Sequence, residues 1–142
     1  MTYLLDVNVL IALLDQTHQH HERATARLSA HGAKGWASCP LTQNGFVRIM
    51  SQPGYVRPVA MAQAIELLAA ACAGRWHAFW PDDVSLLDAM AVDRHRIHGP
   101  RQLTDIYLLA LAVRHGGRLA TFDDGIPVSA VRGARREHVV VI

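Results

Sequence analysis

Asp6 stands between two apolar segments, residues 3–5 and 9–14, that both read as buried. Asp123 and Asp124 follow another such segment, RLATF, and Asp105 opens the periodic stretch TDIYLLALAVRH. A carboxylate in such a setting has two ordinary uses. It caps a helix or closes a turn, where it stabilises by about 0.3–1 kcal/mol. Alternatively, it stands at the mouth of a site that needs negative charge. Carboxylates held close together repel one another and raise each other's pKa values. A divalent cation relieves that repulsion. Oxygen ligands with no cysteine and no obligatory histidine suit Mg²⁺ or Mn²⁺ rather than zinc. Such an ion orients and deprotonates water and stabilises charge on a phosphate, so phosphodiester hydrolysis is the reaction this set serves most naturally. The local pattern leaves both uses open, because Asp6, Asp82, Asp83 and Asp105 all fall at helix starts and FDDG is common turn chemistry.

Which use applies depends on the elements that carry the acids. Residues 3–5 read as a buried strand and 7–14 as a helix. Residues 18–31 read as a polar-faced helix with Ala24 and Leu28 inward, stopped by Gly32. A strand follows at 35–38, then a helix through LTQNGFVRIMS with Leu41, Phe46, Ile49 and Met50 inward, broken by Pro53, Gly54 and Pro58. Residues 59–73 form an alanine-rich helix, and 76–80 a third strand. PDDVSLLDAMA, 81–91, reads as a helix capped by Asp82 or Asp83. A loop, RIHGPRQ, leads to a helix over 104–115 that stops at Gly116–Gly117, and strands follow at 118–122 and 138–142. Strands alternating with helices predict an α/β fold with a mostly parallel central sheet flanked by helices. In such a sheet the strand carboxyl ends share one rim, where sites form. Asp6, Asp105 and Asp123 are thereby expected on that rim, with Gln43 in the first turns of the helix after the second strand.

The 142 residues fit a single domain, 1–142, with one sizeable core, and a hydrophobic content of 51% argues against disorder. No apolar run approaches the roughly 18 residues of a membrane helix. The N-terminus lacks the basic start of a secretory signal, so a soluble, cytoplasmic protein is expected. Cys39 and Cys72 have no metal spacing and read as free thiols. The net charge of +2 permits nucleic-acid binding without demanding it. His18, His20 and His21 read as a solvated helix start, with one ring packing over the first helix. Trp36, Trp76 and Trp80, and Met50, Met61 and Met90, read as core. Among the arginines, Arg48 and Arg101 are candidates for holding phosphates; Arg101 lies four residues before Asp105. The group at 132–136 is a candidate tether for the tail or a partner.

LLDVNVLIALL, CPLTQNGFVRIMSQP, FWPDDVSLLD and TDIYLLALAVRHGGRLATFDDG, in that order, resemble the PIN-domain family, most closely the VapC-type toxins of toxin–antitoxin pairs. The likeness runs from about Tyr3 to Gly125. It implies a PIN-like three-layer fold and a Mg²⁺- or Mn²⁺-dependent endoribonuclease, a homodimer silenced by a cognate antitoxin. Carried over, Asp6, Asp105 and Asp123 match the metal-binding, catalytic acids, Asn8 the polar partner of the first, and Thr121 a hydroxyl before the last. The family's second acid, usually glutamate, falls at Gln43, which removes one negative charge. Asp124 is expected to make up that deficit at the metal. The alternatives are an RNA- or antitoxin-binding module with weak or no nuclease activity because of Gln43, and a DNA-directed nuclease of the same fold.

Overall fold

A computed structural model describes residues 1–31 and 35–142; the helix stop expected at Gly32 lies outside the described residues. Strands β1 (Thr2–Leu5), β2 (Gly35–Ser38), β3 (His77–Phe79), β4 (Arg118–Thr121) and β5 (Val139–Val141) form one sheet in the order β3-β2-β1-β4-β5, with every pairing parallel. Parallel strands require crossovers, and helices α1 (Val7–Leu14), α2 (His21–Ala30), α3 (Pro40–Ser51), α4 (Met61–Cys72) and α5 (Leu103–Arg114) supply most of them. The expected α/β sheet flanked by helices is therefore present.

The period-2 alternation of β1 divides the core into two layers. Tyr3 and Leu5 pack with Val9, Leu10, Phe46 and Leu68 on the face covered by α1 to α4. Leu4 packs with Ile106, Leu109, Leu119 and Val131 on the α5 face. The sheet is thus covered on both sides, as parallel sheets require.

Two close approaches set the geometry of α3 and of the turn into β4. A Cβ on Gly45 would lie 2.8 Å from Val7 Cγ2, so this glycine lets α3 come against the residue that follows Asp6. A Cβ on Gly117 would lie 2.5 Å from the Thr2 carbonyl oxygen and 2.6 Å from the Trp80 ring. Gly116, at φ 68°, closes α5 in the left-handed conformation.

Several expectations are corrected. Residues 81–91 form no helix but a chain of turns. Their acids bond elsewhere: Asp82 accepts the Leu41 N–H of α3 at 3.2 Å, and Asp83 accepts from His115 at 2.9 Å. Within the segment, Ser85 and Asp88 accept the N–H groups of Leu87 and Met90, which ties the backbone into local turns in place of helical bonds. Asp82 therefore does cap a helix, but a different one. Trp80 is buried and stacks on His115, whereas Trp36 is half-buried and Trp76 exposed near the sheet's β3 edge. Met50 is core, but Met61 and Met90 are exposed, as is Leu41; apolar identity alone did not reveal which positions had a neighbour. His21 bonds the Ala12 carbonyl at 2.8 Å, so one histidine does pack over α1. Cys39 and Cys72 are free thiols.

Because Gly117 meets backbone and an aromatic ring, Gly117→Ala should cost about 2–3 kcal/mol through overpacking. Gly116→Ala faces only its left-handed φ and should cost roughly 1 kcal/mol. Urea midpoints of the two variants check this; equal losses would mean that the approach of β1 and Trp80 is not tight.

Candidate metal and nuclease site

The sheet register delivers the first two groups. Leu5 pairs with Ala120, so the next residues, Asp6 and Thr121, leave their strands abreast on the carboxyl rim. The Asp6 N–H still reaches the Ala120 carbonyl at 3.0 Å, which fixes the backbone at that point. The Asp6 side chain then serves two purposes at once. Oδ1 accepts the Val7 N–H at 2.7 Å, capping α1, and Oδ2 accepts the Thr121 hydroxyl at 2.9 Å. That hydroxyl, fully buried, also accepts the Asp123 N–H at 3.1 Å. One threonine oxygen therefore spans the first and the last acid. Asp123 Oδ1 accepts the Gly125 N–H at 2.7 Å, which closes the turn.

Asp105 arrives from the first turn of α5 and is half-buried. Burial, the charge of Asp6, and both a hydrogen bond and the charge of Asp123 push its pKa up to about 7. Burial and the Asp123 charge also raise Asp6, against the bonds from Thr121 and Val7 that favour its ionised form. Asp123 thus acts on both other acids, and Asp6 acts on Asp105, across the rim. The other expected residues are placed differently. Asn8 is exposed in the first turn of α1. Asp124 is exposed and faces a shallow cleft with Val139, Val141 and Arg136, and it is not among the groups acting on Asp6 or Asp105. Gln43 gives its Nε2–H to Ser38 Oγ at 2.9 Å. Arg48 lies along a groove between α3 and α4, and Arg101 is exposed in the turn before α5. The sequence reading overlooked Arg23, whose guanidinium lies 5.2 Å from the ring centre of Phe122, the residue between Thr121 and Asp123. Only the fold brings α2 onto that turn, so no local signal announced it.

Among the described residues, no three His, Cys, Asp or Glu side chains make a ready metal cage. This still fits Mg²⁺, which keeps several waters and takes one or two carboxylates together with substrate phosphate oxygens. The donors are hard oxygens, and their mutual repulsion is the deficit a cation relieves.

The family model for the PIN domain matches residues 3–131. Ribonuclease VapC44 of Mycobacterium tuberculosis strain H37Rv is 54% identical over 142 residues, spanning 100% of both chains. Ribonuclease VapC39 of the same strain is 46% identical over 134 residues, 94% of this chain and 96% of the relative. Among solved structures, the M. tuberculosis sarcin-ricin loop cleaving toxin VapC20 superposes with a TM-score of 0.60 at 13% identity, covering 94% of this chain and 96% of that one. VapBC2 from Rickettsia felis, bound to a DNA fragment from its promoter, gives 0.53 at 12% identity, covering 88% and 90%. These two likenesses bear on the fold.

The raised pKa of Asp105 has a consequence for stability. The folded chain holds this proton up to about pH 7, whereas an ordinary Asp releases it near 3.8. Between those values the folded state binds more protons than the unfolded one, so this contribution falls as pH rises. In EDTA, Asp105→Asn should remove that fall between about pH 4 and 7, read as urea midpoint against pH. Parallel profiles for the variant and the wild type would refute the coupling.

Proposed function

The chain belongs to the PIN-domain family, among its VapC-type toxins, and from that premise we propose that it is a divalent-metal-dependent endoribonuclease acting in a toxin–antitoxin pair. One observation carries the reading: Asp6, Asp105 and Asp123, distant in sequence, lie close enough on the carboxyl rim of the sheet that Asp6 and Asp123 raise the pKa of Asp105, and Asp123 raises that of Asp6.

In this reading the three acids hold Mg²⁺ or Mn²⁺, with Asn8, Gln43 and Thr121 around them. When bound, the ion supplies Lewis acidity toward a phosphate and lowers the pKa of water. The residues of the chain prepare its place. Thr121 holds Asp6 Oδ2 at 2.9 Å, and the Val7 N–H holds Oδ1 at 2.7 Å, so the carboxylate cannot swing away from the rim. The same threonine fixes the backbone of Asp123. Asp105 brings the charge that is costliest to keep ionised, so it gains most from a cation. Arg48 and Arg101, both exposed, bind the phosphates of the RNA, a contact that weakens with salt. The partners are the RNA substrate, a cognate antitoxin and a second copy of the chain. Among the described residues no helix is long and apolar enough to cross a membrane. A pure binding module is the less favoured reading, because Asp6, Asp105 and Asp123 share the rim although residue 43 is an amide.

Labelled RNA incubated with the protein should be cut with Mn²⁺ and left intact with EDTA. Asp6→Ala should lower the rate at least about a hundredfold, matching the several kcal/mol that a positioned ion supplies to phosphoryl chemistry. Full cutting in EDTA or by Asp6→Ala would sink the proposal. Thr121→Val, which keeps the volume but loses the hydroxyl, should weaken Mn²⁺ binding on the order of tenfold or more in a direct titration. An unchanged affinity would show that the threonine brace plays no part in holding the ion.

A further inference from the structure

Gln43, Ser38 and His77 come from three different elements and form one continuous hydrogen-bonded chain. Ser38 ends β2 and is fully buried. Its Oγ receives the Gln43 Nε2–H at 2.9 Å and lies 2.7 Å from His77 Nε2 on β3. The Cys72 thiol, at 3.8 Å, is the weaker contact. Burial lowers the His77 pKa, and the Cys72 backbone offsets part of that.

These contacts give the chain one consistent direction. Gln43 donates to Ser38, so the serine hydroxyl passes its own hydrogen on to His77 Nε2, and the ring hydrogen sits on Nδ1. In the neutral ring Nε2 is then bare and accepts from the Ser38 hydroxyl. Ser38, having given its only hydrogen, must accept from residue 43. An amide can donate there and an ionised carboxylate cannot. Reversing the Gln43 amide would require Nε2 to carry the ring hydrogen instead.

We propose that Ser38 and His77 are positioning residues that hold Gln43 with its amide nitrogen turned inward, leaving Oε1 as the acceptor at the groove between α3 and α4. This explains how the chain accommodates an amide where its family usually carries glutamate. Oε1 makes no hydrogen bond among the described residues, and Gln43 shares that groove with Asn44 and Arg48. Two residues further along α3, Gly45 packs on Val7, the residue that follows Asp6. Any consequence for catalysis rests on the ribonuclease reading above; the orientation of the amide does not.

Imidazole nitrogen spectra of ¹⁵N-labelled full-length protein at about pH 8, above the usual imidazole range, decide the orientation. In the wild type, His77 should carry hydrogen on Nδ1 and none on Nε2. In Gln43→Glu the carboxylate takes the serine hydrogen, so Nε2 must gain one. A wild-type ring protonated at Nε2, or one unchanged by Gln43→Glu, overturns the proposal. For activity, Ser38→Ala and Gln43→Leu should each lower kcat about tenfold with KM for RNA unchanged, the usual scale for groups that orient a metal site. The double variant should lose no more than either single one. Additive losses, or full kcat in a folded Ser38→Ala, also overturn it. If the wild type cuts no RNA, the ribonuclease reading falls, and the imidazole spectra still decide the orientation.

Discussion

The rim depends on one buried hydroxyl. Thr121 Oγ donates to Asp6 and accepts from the backbone of Asp123, joining two carboxylate-bearing segments whose charges repel. This arrangement is possible only because β1 and β4 are parallel neighbours in a register that sets Leu5 against Ala120. A slip of one residue would turn the whole alternation of β1 inside out, so the two-layered core that fixes the register also fixes the site. The hydrophobic packing and the acidic rim are therefore not independent features. Leu4 and Leu5, pointing to opposite core layers, hold β1 at the height from which Asp6 emerges.

That rim is electrostatically uncomfortable. Burial raises Asp105 and Asp6, and Asp123 raises both further. The same cluster that makes the folded chain receptive to a cation makes it bind protons more tightly than an unfolded chain would. Stability and receptivity pull against each other here, as expected where function concentrates like charges. The supporting shell offsets part of this. The α1 cap and the threonine hydroxyl each favour the ionised form of Asp6.

The two uses first set against each other for these acids turn out to be compatible. Asp6 caps α1, Asp105 lies in the first turn of α5 and Asp123 closes a turn. A carboxylate has several lone pairs, and one bond to a helix terminus leaves others directed elsewhere. Local pattern was therefore unable to choose between cap and site, because it was reading one half of each residue's bonding. The failed helix at 81–91 is the same lesson reversed. Asp82 and Asp83 have good capping chemistry, but α3 and the end of α5 claim their oxygens.

The sequence by itself determined the alternation of strands and helices, the rim on which Asp6, Asp105 and Asp123 lie, and the family. These follow from short-range periodicity and from strands that run parallel, both properties of the chain's own order. Tertiary structure alone decided that Asp124 lines a cleft with Arg136, that Arg23 lies over Phe122, that Met61 and Trp76 face outward, and that Gln43 is bound to β2 and β3 through Ser38. Each of those outcomes depends on which side chain from a distant segment arrives within a few ångströms. Hydrogen-bond direction and burial are properties of that meeting, and no local run of residues contains them.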